Sequence, residues 1–325
     1  MAGMERVLIT GMGGELGTRV AQLIEQRPWA GEVVGVDFVP PRRRLRRAEF
    51  HRIDPRDRDR LAEFVEGFAP TVVAHFGVYE PASRMSPVSA IERTELCTIA
   101  TMSAAARAGK LEYVVLRSGL EVYGPRTATA SVPDEDVMPE PRTPYGRSLL
   151  EVESVVAGLR MRHGVSVCAL RYAPVVGPHV PSPVGRLLRL PVVPVPAFAD
   201  PPFSLLHPDD AAEAMVAAID RRYDGALNVV GPGAATPWQA VRLGGRIPLP
   251  VVGPMWEGAA RIVELAGAAV APHVLELLRH GRTGAGSRAV EALGLHALHP
   301  TQTVLRDLFE WADVIPIPTS REQVA

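Results

Sequence analysis

The stretch Val7–Gly17, reading VLITGMGGELG, constrains this chain more than any other. Val7, Leu8 and Ile9 form a short apolar run that ends in glycines, the pattern of a buried strand in a parallel sheet. Gly11, Gly14 and Gly17 follow at three-residue steps, and TRVAQLIEQ then places Val20, Leu23 and Ile24 at helical spacing. The order is strand, glycine turn, helix. Glycines let the backbone turn tightly, approach a pyrophosphate closely and pack helix on strand. The helix start, with Gly14, Glu15, Leu16 and Gly17, offers free N–H groups and a positive dipole end to phosphate. A glycine turn that binds nothing is the plainer reading of the triplet alone; the strand before it and the helix after it point to a dinucleotide.

The next strand, Glu32–Phe38, ends in Asp37. An acid there accepts hydrogen bonds from the adenosine ribose hydroxyls and repels a 2′-phosphate, which favours NAD over NADP. Arg42, Arg43, Arg44, Arg46 and Arg47 lie just beyond. They are either a solvated loop or a seat for that phosphate.

Thr10–Gly17 as TGxxGxxG, together with GVD at Gly35–Asp37, resembles the extended short-chain dehydrogenase/reductases, the NAD-dependent epimerase/dehydratase group to which UDP-glucose 4-epimerase belongs. The resemblance runs through Thr71–Gly77, the Val-Tyr-Gly at Val122–Gly124, Pro144-Tyr145, APVVGP after Tyr172, FSLLHPDD and GALNVVG. It implies an adenine contact at Asp54, where a surface turn is the other reading, and a cofactor wall at Phe76, Gly77 and Val78. His75 reads as a packed strand histidine. The resemblance also implies a helical Tyr that touches both substrate and cofactor, a Lys four residues on that lowers the Tyr pKa, and a Ser or Thr after the fifth strand.

Here the Tyr is Tyr145, but four residues on stands Leu149, and counting back from Val-Tyr-Gly puts the Ser/Thr position on Gly119. Arg147, two residues on, is turned about 200° around the helix. Ser118 is adjacent to Gly119 but one residue off in register. Ser118, Arg117 and Glu121 are the local candidates to assist Tyr145. An unassisted Tyr near pKa 10 is a poor base at neutral pH. Three functions remain open: an NAD-dependent enzyme on a nucleotide sugar or similar hydroxyl substrate with an altered proton-transfer site, a non-catalytic NAD-binding sensor or partner protein, and a fold whose cofactor site is vestigial.

Alternating strands and helices imply an α/β doubly wound parallel sheet with a smaller C-terminal substrate lobe. The boundaries read 1–174 for the dinucleotide-binding part, with 203–231 returning to it, and 175–202 with 232–320 for the lobe. Arg186, Arg189, Arg246 and Arg282 are candidates there for a nucleotide diphosphate, and Asp209 or Asp210 for the cap of the helix over Ala211–Ile219. A net charge of −1 gives no field for nucleic acid. The two cysteines, Cys97 and Cys168, sit in apolar runs and read as core residues of a reduced, cytoplasmic protein without metal. Gly258–Leu278 is apolar-rich, but Arg261, Glu264, His273 and Glu276 interrupt it, so no membrane span is expected. Arg321–Ala325 reads as a frayed tail. The helices Ile91–Gly109 and Tyr145–Arg162 are the pair from which the resemblance implies a homodimer.

Overall fold

The computed structural model describes residues 4–83, 85–125, 132–177, 179–256, 258 and 270–313. The expected tail at Arg321–Ala325, and Arg261 and Glu264, lie outside them. In chain order the strands are β1 Glu5–Thr10, β2 Ala30–Asp37, β3 Glu49–Arg52, β4 Val72–His75, β5 Tyr113–Gly119, β6 Ser166–Tyr172, β7 Val192–Pro196, β8 Gly225–Val229 and β9 Ile247–Val251. The helices are α1 Glu15–Ile24, α2 Arg58–Phe68, α3 Pro87–Arg107, α4 Pro144–His163, α5 Pro183–Leu188, α6 Pro208–Arg221, α7 Pro237–Leu243, α8 Pro272–His280, α9 Ser287–Leu293 and α10 Thr301–Asp313.

Seven strands form one sheet in the order β3-β2-β1-β4-β5-β6-β8, parallel throughout. The apolar runs explain it. Val7–Ile9, Val72–Ala74 and Val114–Leu116 are fully buried, because helices cover both faces. β1 pairs with β2 on one side and β4 on the other, so the direction of winding reverses there. The carboxyl ends of β1 and β4 flank the crevice that such a reversal opens.

A second apolar core gathers α5, α7, α8, α10 and the β7–β9 pair around Val176, Leu187, Phe203, Leu205, Val274 and Leu308. β7 and β9 read VVPVP and IPLPV and pair parallel. From the second rung on, each proline faces a non-proline, so one donor survives per rung. Prolines argue against a strand in sequence, which is why this pair was not legible there. Ala289 and Leu293 of α9 pack back into the main core.

Helix starts differ from the sequence reading where caps decide. Ser86 caps α3 and Thr143 caps α4, each followed by Pro at the first helical position, so Tyr145 lies in the first turn of α4. α6 starts at Pro208, and its cap is His207, whose Nδ1 accepts the Asp209 N–H; neither Asp209 nor Asp210 caps it. Cys97 and Cys168 are buried and free. Among the described residues, no helix is long and apolar enough to cross a membrane.

Candidate active site

A cleft opens at the carboxyl ends of β1, β2 and β4. Gly11, Gly14, Glu15, Leu16, Gly17, Asp37 and Phe76 are in its wall. Gly11 has φ +69°, and a Cβ there would lie 2.4 Å from the Phe76 carbonyl oxygen. A Cβ on Gly17 would lie 2.3 Å from the Gly11 carbonyl oxygen, so only glycine lets α1 seat on the turn. Gly14 precedes α1 without a capping side chain, which leaves first-turn N–H groups pointing at the cleft. Asp37 accepts from the Gly13 N–H (3.1 Å), the Phe38 N–H (2.7 Å) and the Tyr79 hydroxyl (3.4 Å). Burial raises its carboxyl to about 6, against the pull of the Phe38, Val39 and Gly13 N–H groups. The turn, the bare helix start and the acid fit a dinucleotide.

Glu80 and Arg117 close the other end of the cleft. Arg117 stands on β5 two residues before Gly119, on the same face of the strand. Its guanidinium donates to the Val78 carbonyl (3.3 Å) and lies 3.6 Å from the Glu80 carboxylate. Tyr145 is buried beside this pair, its ring 4.8 Å from that of His273. His273 Nε2 pairs with Glu80 (3.2 Å), and its Nδ1 is buried without a partner. Arg282 links Glu121 (3.0 Å) to Glu276 (2.7 Å) across the same space. Burial pushes the Tyr145 phenol well above its ordinary value. Arg117 is the strongest group pulling it back, while Glu80 and Glu121 push it further up. Burial lowers the Arg117 guanidinium, but Tyr145, Glu80 and Glu121 outweigh it and leave the group above its ordinary value.

The model for the NAD dependent epimerase/dehydratase family matches residues 7–230. The chain belongs to that family. An uncharacterized protein of Mycobacterium tuberculosis is 31% identical over 261 residues, covering 76% of this chain and 68% of its own. The Thermus thermophilus UDP-glucose 4-epimerase, solved with NAD, superposes with TM-score 0.72 at 20% identity, covering 94% of this chain and 99% of that one. A UDP-galactose 4-epimerase gives TM-score 0.70 at 23% identity, covering 94% and 98%. These likenesses establish the extended short-chain dehydrogenase/reductase fold, and NAD is the cofactor of the family.

Within that family frame, the two expected catalytic positions are filled differently here. Leu149 is fully buried. A Cβ on Gly119 would lie 2.2 Å from Glu121 Oε2 and 3.2 Å from Leu149 Cδ1, so the carboxylate and the leucine occupy the space that a side chain at 119 would need. Ser118, proposed from sequence as a helper of Tyr145, is not brought to it. Its hydroxyl donates to Glu153 (2.5 Å), which holds Arg171 (2.8 Å), on the opposite face of β5 from Arg117. Arg147 donates to the Arg142 carbonyl at the surface. Arg117 and Glu121, the other sequence candidates, both act on Tyr145 electrostatically, Arg117 lowering its phenol and Glu121 raising it. Glu80, His273 and Glu276 had no signal as site residues, although His273 and Glu276 are two of the polar groups that broke the apolar stretch after Gly258.

Asp54 lies outside the cleft wall. It binds Arg56 (2.8 Å) and steers Arg93 (3.4 Å), whose guanidinium covers the Phe38 ring in the wall. Gly77 is also outside it; a Cβ there would meet Cys97 Sγ at 2.4 Å, so its smallness serves packing behind the cleft. His75 is buried between Thr10 and Thr98, and burial lowers it to about 3. In the lobe, Arg186 donates to the Ala82 carbonyl, and Arg189 is lowered first by burial and then by Arg186 and Arg246, so three cations share one neighbourhood. His207, Asp210 and His299 also cluster, but His207 Nδ1 accepts an N–H, which puts its proton on Nε2. Asp210 spends both oxygens on His299, so the group ties a loop to α6.

Proposed function

We propose that this chain is an NAD-dependent enzyme acting on a nucleotide sugar or a similar hydroxyl substrate. At Tyr145, Arg117 takes the charge role that a lysine plays elsewhere in the family. One observation carries the reading: a largely buried guanidinium in the wall of the cleft, paired with Glu80, lies near enough to Tyr145 to act on its phenol electrostatically. Buried ions cost several kcal/mol each unless paired. A cluster of them at the inner end of a cofactor cleft is the signature of a site with chemistry to do.

The first turn of α1 and Asp37 hold the cofactor, with Phe76 and Val78 along its path. NAD, when bound, supplies the hydride acceptor. The substrate hydroxyl gives its proton to the Tyr145 oxygen, and Arg117 stabilises the phenolate form that receives it. Arginine stays charged throughout, so it opposes the rise that burial imposes on the Tyr145 phenol without itself exchanging a proton. Arg186, Arg189 and Arg246 receive the diphosphate of the substrate. The chain acts in the cytoplasm as a homodimer through α3 and α4.

The test is NADH formation or epimer exchange on a panel of UDP- and dTDP-sugars. Tyr145→Phe and Arg117→Met should each lower kcat/KM by about a hundredfold, while Arg117→Lys retains most of it and NAD binding persists in all three. Full activity in Arg117→Met would remove the assignment. A second reading, a non-catalytic NAD-binding sensor, is favoured by the Glu121 carboxylate and Leu149 side chain that fill the Gly119 space. It predicts no turnover on the panel while NAD still raises the melting temperature.

A further inference from the structure

Glu15 is a carboxylate in an unexpected place. It stands in the first turn of α1, in the wall of the cleft, where the glycine turn is built to receive phosphate. Its side chain is almost wholly buried (2% exposed). Two arginines hold it: Arg19 Nε at 2.9 Å, one turn along the same helix, and Arg43 Nη2 at 2.7 Å. Arg19 also reaches Asp209 at the start of α6. Arg43 comes from the loop that follows Asp37, the loop whose arginines compete for a 2′-phosphate. Arg47 spends its guanidinium on the carbonyls of Glu25, Ala30 and Gly31. Arg42, Arg44 and Arg46 are exposed, as is Arg43, whose side chain stays 38% exposed while it pairs with Glu15. Of these five arginines, then, Arg43 alone is paired with a residue of the cleft wall, and Glu15 has captured it.

We propose that the Glu15–Arg43 ion pair is the specificity latch of the cofactor site. It holds Arg43 on a carboxylate, away from a cofactor phosphate, and Asp37 is left to select an unphosphorylated ribose. The latch rests on the reading of this cleft as the dinucleotide site. Its chemistry is simple exchange. A phosphate monoester and a carboxylate compete for the same planar donor fork, and the resident carboxylate is already desolvated and paired. Removing the charge of Glu15 frees that fork for a 2′-phosphate.

Calorimetric titration of the full-length protein with NAD and with NADP decides it. The wild type should prefer NAD. Glu15→Gln should lower the ratio of the NADP to the NAD dissociation constant at least tenfold, and adding Arg43→Gln should abolish that gain. A gain that persists without Arg43 would mean that Glu15 acts by its own repulsion, and the latch falls; so does it if the ratio does not move. Arg43→Gln alone gives an independent reading should Glu15→Gln fail to fold. With the guanidinium held by Glu15 it must leave the ratio unchanged, and a weakened NADP affinity overturns the proposal. Failure of either dinucleotide to bind the wild type removes the cofactor reading and the latch with it; binding of NAD with an unmoved ratio removes the latch alone.

Discussion

Asp37 has two demands on one carboxyl. The ribose contact proposed for it needs it ionised, and burial at the lip of the glycine turn opposes that, lifting it from 3.8 to about 6. Because the folded value lies above the unfolded one, its contribution to stability is fully present below about pH 4 and is lost as pH rises through about 6. The ionised form therefore costs the free protein about 2–3 kcal/mol at neutral pH. NAD affinity runs the other way: titration calorimetry should find it level above about pH 7 and falling by up to tenfold per pH unit below about 6. Asp37→Asn should weaken NAD binding, flatten that profile and raise the melting temperature of the cofactor-free protein at pH 8. Asp37 and the glycines were legible in sequence because they fall within one continuous strand–turn–helix–strand stretch, β1 to the end of β2. Tyr145 was legible as a residue, and so were Arg117 and Glu121 nearby in the chain; Glu80 and His273, which reach it from two distant segments, were not. Register explains Ser118. Next to the right position in sequence, it faces the wrong side of β5 and serves Glu153.

The unit that carries the site is β1, its turn and α1. Gly17 sits 2.3 Å, measured from a would-be Cβ, from a backbone oxygen that has nowhere to go. Gly17→Ala must push α1 off the turn, so NAD binding should be lost by calorimetry, with a stability cost of about 1–3 kcal/mol from overpacking read by thermal unfolding. A wild-type NAD affinity in that variant would show that the turn has slack the structure does not contain. Apolar runs with glycine or proline boundaries made the parallel strands readable, as in β2, expected over Glu32–Phe38 and found at Ala30–Asp37. β7 and β9 escaped because alternating prolines hide a pairing that leaves one donor per rung. The cap of α6 escaped for a different reason. Asp209 and Asp210 are good capping residues, but each is used elsewhere, on Arg19 and on His299, and the histidine before them takes the helix start.

At the scale of the molecule, α3 and α4 lie side by side, and Ile99, Val152 and Val155 line the groove between them. Ile99 is 43% exposed, while Leu149, Val152 and Val156 are buried in the core, so less of α4 is left for a partner than its apolar count suggests. A second copy of the chain is expected there. Sedimentation at micromolar concentration should give a dimer mass, and Ile99→Asp should give a monomer; a monomeric wild type would refute the assembly. The lobe has a dependence of its own. β7 and β9 are partners, yet the chain between them passes through α6 and β8, which belong to the main sheet. Their pairing closes a long loop, and loop closure of that kind is slow unless the intervening chain is already anchored. Docking of β8 against β6 supplies that anchor. The connectivity therefore implies an order of folding: the β7–β9 pair, and the second core around it, should close after the main sheet to which the intervening chain belongs.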